Sequence, residues 1–96
     1  MVIYIDVDNT ICITHGTGYE SATPIQENID KANKLYEAGH TVIYWTARGT
    51  ISKVSYLKLT NKQLDEWGVK RHDTLVGKPA YDLFICDKAM NVSDWE

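Results

Sequence analysis

Four short apolar runs in this chain each end at a polar residue able to do chemistry. Val2-Ile3-Tyr4-Ile5 runs into Asp6, and Thr41-Val42-Ile43-Tyr44-Trp45 runs into Thr46. Thr74-Leu75-Val76 runs into Gly77-Lys78, and Leu83-Phe84-Ile85-Cys86 runs into Asp87. Such β-branched and aromatic runs are the pattern of parallel strands covered on both faces. Two helical stretches lie between them. Thr23-Pro24-Ile25-Gln26 reads as a capping box with proline at the first helical position. Ile25, Ile29, Ala32 and Tyr36 then share a face, and Gly39 is the stop. Thr60-Asn61-Lys62-Gln63 reads as a second box, opening a helix through Leu64 and Trp67 to Gly68. Residues 51–59 fit neither period. The order strand, helix, strand, helix, strand, strand predicts an α/β fold. It should be a minimal, open, Rossmann-like parallel sheet of about four strands with flanking helices.

At 96 residues the chain has room for one core, so residues 1–96 are read as a single domain. Acids and bases are mixed along the chain, with a net charge of −3 and a pI near 5.5. That balance provides no basic patch for long nucleic acid or an anionic membrane. Cys12 and Cys86 have no framework spacing and read as free thiols of a reducing compartment. The apolar start, MVIYID, has no basic residue ahead of it and meets Asp6 too early for a signal sequence, so a cytoplasmic protein without a membrane span is expected.

The four polar strand ends matter most, because ligands of open α/β sheets bind beyond the carboxyl ends of the strands. Asp6 and Asp8 share a face of an extended chain, with Cα atoms ~7 Å apart. That gap suits a tetrahedral phosphorus between a nucleophilic oxygen and a proton donor. Three carboxylates on one edge, with Asp87, call for a cation, and oxygen-only donors favour Mg²⁺ over zinc. Lys78 and the Thr46 hydroxyl supply partners for an anionic phosphate, and Arg48 is read as a further substrate phosphate contact.

The arrangement resembles the haloacid dehalogenase superfamily of phosphatases. That family's Asp-x-Asp-x-Thr motif stands here as Asp6-Val7-Asp8-Asn9-Thr10. Its Thr or Ser, its Lys and its acidic motif stand as Thr46, Lys78 and Asp87, all in order. Tyr44-Trp45-Thr46-Ala47-Arg48-Gly49 and Gly77-Lys78-Pro79 are similar to short bacterial and phage-encoded members associated with sugar-phosphate or surface-polysaccharide metabolism. The resemblance implies sheet order 3-2-1-4 and an aspartyl-phosphate formed on Asp6. It implies that Asp8 is general acid and base, that Thr46 and Lys78 hold the phosphoryl group, and that Mg²⁺ is bound by Asp6, Asp87 and the Asp8 carbonyl. Relatives commonly carry two adjacent acids in the fourth motif, where this chain has Cys86-Asp87. If the first acid steadies the lysine, Lys78 has lost a partner.

No insertion is long enough to form a cap, so the site should be open. It would take a small phosphorylated substrate, a sugar phosphate or nucleotide, with a second copy of the chain able to cover the opening. Singly, each of these residues is better explained as a turn former, a cap or a solvated charge. Together, in order and on strand ends, they favour catalysis. The alternative is a catalytically weakened binding or regulatory module. A phosphoacceptor receiver is disfavoured because no Asp ends the second strand. His15, His40 and His72 have no ligand spacing, Trp45 and Trp67 read as core, and His15-Gly16-Thr17-Gly18 reads as a flap.

Overall fold

The computed structural model describes residues 1–96. Strand β1 (Val2–Ile5) is followed by a small hairpin of β2 (Cys12–Ile13) and β3 (Thr23–Pro24). Helix α1 (Gln26–Glu37), strand β4 (Thr41–Trp45), helix α2 (Leu57–Glu66) and strand β5 (Asp73–Leu75) complete the frame. The main sheet is parallel, in the order β1-β4-β5. Its register sets Ile3 beside Val42, Ile5 beside Tyr44, and Tyr44 beside Thr74.

That register decides which face is buried. Val42 and Tyr44 lie on the same side as Ile5, and with Ile29 and Ala32 of α1 and Leu64 of α2 they form one core. Both helices therefore cover one face of the sheet. On the other face Val2 and Tyr4 are exposed and Trp45 is half-buried, with Tyr4 meeting Trp45 edge to face. The expectation of strands covered on both faces fails here. Trp67 packs partly buried against the core, as expected, and so does Trp95.

Three expectations about elements are corrected. Leu83–Cys86 is not a strand: Leu83, Phe84 and Ile85 are 75%, 56% and 88% exposed, and the edge of β1 stays unpaired. The run is short enough for local contacts to decide its course, and Phe84 stacks on Tyr81, with ring centroids 5.4 Å apart. Thr23-Pro24 does not cap α1 but pairs with Cys12–Ile13, and the helix starts at Gln26 after an Ile25 whose side chain makes no cap bond. Thr60 does not cap α2 either. That helix begins at Leu57, and Thr60 and Gln63 turn inward from it, both buried. Both helices end as expected, with Gly39 and Gly68 standing just past their last turns at positive φ.

Candidate functional site

Val7, with no exposed surface, anchors the turn after β1 in the core, so Asp6 and Asp8 on either side of it are thrown outward. Backbone bonds from Thr10 and Ile11 to the Val7 carbonyl, and from Asn9 to that of Cys12, close this turn. Asn9 sits in the left-handed region at φ 62°, which asparagine tolerates better than most residues. From α1, the Asn28 amide donates to the Thr10 carbonyl at 2.8 Å. The acidic turn is thus held by the first strand, the hairpin and the first helix.

The second half of the site comes from the ends of β4 and β5. The Lys78 backbone N–H donates to the Thr46 carbonyl at 3.2 Å, and the Thr50 hydroxyl donates to the Lys78 carbonyl at 2.7 Å. These bonds bring the Lys78 ammonium to 3.3 Å from Asp6 Oδ1. The Thr10 hydroxyl points at the other oxygen, Oδ2. Asp6, Asp8, Tyr19, Arg48, Lys78 and Tyr81 line a cleft of about 320 Å³. Thr46 lies fully buried rather than on the cleft surface. Its hydroxyl oxygen accepts the Arg48 backbone N–H at 3.1 Å, which leaves its own proton free to donate.

Thr46, expected to hold the phosphoryl group, is thus one of three residues that stand elsewhere than expected, with Arg48 and Asp87. Arg48, read as a phosphate contact, has no exposed side-chain surface. Its NH2 donates to Asp8 Oδ1 at 2.8 Å and its Nε to Oδ2 at 3.0 Å, while NH1 reaches Thr60 Oγ1 and Gln63 Oε1. With those donors taken inside the chain, Arg48 grips Asp8 instead of substrate. Asp87, expected as a metal ligand, is exposed and outside the cleft, because no fourth strand carries it there. No three His, Cys, Asp or Glu side chains come together as a metal cluster. An all-oxygen set of the Asp6 carboxylate and the Asp8 carbonyl, which accepts no backbone hydrogen bond, still fits Mg²⁺. Magnesium is commonly held by one or two carboxylates with substrate phosphate and water.

Sequence reasoning missed Thr14, whose hydroxyl donates to Asp8 Oδ1 at 2.6 Å, and it missed Tyr19, Thr60 and Gln63 as neighbours of the site. The three-residue spacing of Thr60 and Gln63, which puts both on one helix face, was the available signal. Cys12 is a free thiol beside Asp8, and burial first, then the Asp8 charge among smaller effects, pushes its pKa up, away from nucleophilic use. Burial chiefly, and then Asp8, also raises that of Tyr19. A larger hollow of about 530 Å³ around Arg71 is lined by no hydrophobic residue. There the guanidinium is tied to Thr74, Val69, Asn61 and Asp65, so we read it as structural.

No protein-family model and no curated protein matches the chain. The crystal structure of a target protein from Vibrio cholerae superposes with a TM-score of 0.86 at 23% sequence identity, over 96% of this chain and 84% of that one. No helix is long and apolar enough to cross a membrane. Likeness at that identity carries the architecture alone: a compact α/β domain with a parallel sheet of three strands and two helices, consistent with a small Rossmann-like fold.

Proposed function

We propose that the chain is a phosphomonoester hydrolase of the haloacid dehalogenase type, working through an aspartyl-phosphate on Asp6. The observation that carries this reading is the pairing in one cleft of an accessible carboxylate, Asp6, with an ammonium 3.3 Å away and a second carboxylate gripped by arginine. Asp6 is 39% exposed at its side chain, so an oxygen can reach phosphorus, whereas Asp8 is 22% exposed and held. In the first half-reaction an Asp6 oxygen bonds to phosphorus as the bond to the leaving oxygen breaks, and Asp8 gives that oxygen its proton. In the second, Asp8 takes a proton from water as the water oxygen attacks phosphorus, which frees Asp6 and inorganic phosphate. Lys78 offsets charge on the phosphoryl oxygens, while Thr46, buried behind the cleft, holds the Arg48 backbone N–H. Mg²⁺, held by the Asp6 carboxylate and the Asp8 carbonyl, would supply electrostatic stabilisation of the phosphoryl group. A small phosphorylated metabolite, a sugar phosphate or nucleotide, is the substrate class that this reading takes.

One observation favours a second reading. Asp87 lies outside the cleft, which suits a module that binds phosphate without turning it over. Phosphate release from a generic phosphomonoester with Mg²⁺ present separates the two. Asp6→Asn should abolish release while leaving the melting temperature close to wild type, since relief of repulsion from Asp8 is offset by loss of the part-exposed pair with Lys78. Wild-type turnover by that variant would overturn the mechanism, and binding without turnover by the wild type would establish the module.

A further inference from the structure

We propose that Arg48 is the positioning residue for Asp8, and that helix α2 acts through it to aim one carboxylate oxygen, Oδ2, at the leaving group. The inference rests on the phosphatase reading above. Asp8 Oδ1 is crowded: it accepts from Thr14 Oγ1 at 2.6 Å and from Arg48 NH2 at 2.8 Å, with Nε at 3.2 Å. Oδ2 accepts only from Arg48 Nε, at 3.0 Å. The oxygen with spare capacity is therefore Oδ2, and it is the one able to carry and deliver a proton. As the bond from phosphorus to the leaving oxygen breaks and that from Asp6 forms, the proton passes from Oδ2 to the leaving oxygen. Asp8 is then a carboxylate on its arginine.

An aspartate side chain on a turn has several rotamers open to it, and the planar guanidinium fork selects one. The fork is itself fixed from behind. NH1 meets Thr60 Oγ1 at 3.2 Å and Gln63 Oε1 at 2.6 Å, and the Tyr19 ring lies 4.9 Å from the guanidinium carbon. Gln63 also donates to the Tyr19 carbonyl at 2.6 Å, so one α2 residue locks both the arginine and the flap over it. Lysine could keep the charge but not the fork.

The test uses the full chain with saturating Mg²⁺ and two phosphomonoesters, one with an alkyl and one with a nitrophenyl leaving group. Arg48→Lys should lower kcat/KM for the alkyl ester about 100-fold, the scale of general acid catalysis. For the nitrophenyl ester, whose leaving oxygen departs without a proton, the fall should be about threefold or less. Gln63→Met keeps the arginine and loosens it. It should show the same inequality at smaller size, and it decides the matter if Arg48→Lys does not fold. An equal loss on both esters overturns the positioning role while leaving the aspartyl-phosphate reading intact. Absence of wild-type turnover on either ester overturns that reading and this proposal with it.

Discussion

Tyr44 carries its hydroxyl into the core, where it finds no hydrogen-bond partner. Removing a buried, unpaired hydroxyl while keeping the ring should stabilise, so Tyr44→Phe is expected to gain about 1 kcal/mol in urea unfolding. Burial raises the pKa of Tyr44 above its usual 10.0 and that of Cys12 above its usual 9.0. Both groups lose their protons more readily unfolded than folded. Their contribution is full below about pH 9 and is lost as pH climbs through the unfolded values toward the folded ones, by at most about 1.4 kcal/mol per pH unit for each group. Unfolding free energies from pH 8 to 11 should fall, and less steeply above pH 10 in Tyr44→Phe; an identical slope in the variant would contradict this account. At this scale the sequence was informative where chemistry and spacing coincide. Asp6, Asp8 and Lys78 stand together in the cleft as read. Arg48 was misplaced because its partners, Thr60 and Gln63, lie 12 and 15 residues further on, and a cation near a candidate phosphate site looks like a ligand until its donors are counted.

Among the elements, the loop from Thr46 to Tyr56 does most to set the site, and it is held by a tight reversal at Gly49. That residue has φ +82°, its carbonyl accepts the Lys53 N–H at 2.9 Å, and a Cβ there would strike the Val54 carbonyl oxygen. Gly49→Ala should cost about 2 kcal/mol in backbone strain, a fall of roughly 10 °C in the melting temperature of a domain this small. A thermal melt within a degree or two of wild type would show that the reversal relaxes. Elsewhere the helices were legible because Ile29 and Ala32 recur at helical spacing and glycine follows each end. Their starts were not. Thr23 and Thr60 head sequences that fit a capping box, yet one pairs in the hairpin and the other faces a guanidinium. A polar side chain satisfies whichever donor tertiary packing brings, and the box pattern does not encode that choice.

For the molecule as a whole, the consequential feature is the asymmetry of the sheet. β4 is bonded on both sides, while β1 is bonded to β4 alone and its other edge is bare. Opening therefore has a hierarchy. The amides of β4 should exchange with deuterium most slowly, at rates set by global unfolding, and β1 should open more often through fraying that leaves the helical face assembled. The residue proposed to attack phosphorus stands at the end of that more labile strand. Occupancy of the cleft should therefore slow exchange in residues 2–8 more than in 41–45, as hydrogen exchange with and without inorganic phosphate and Mg²⁺ would reveal. Equal protection of β1 and β4 in the ligand-free chain would mean that something covers the bare edge in solution. On the architecture described, the proposed nucleophile is borne by the margin of the fold, so occupancy of the cleft and the integrity of that edge strand should be coupled.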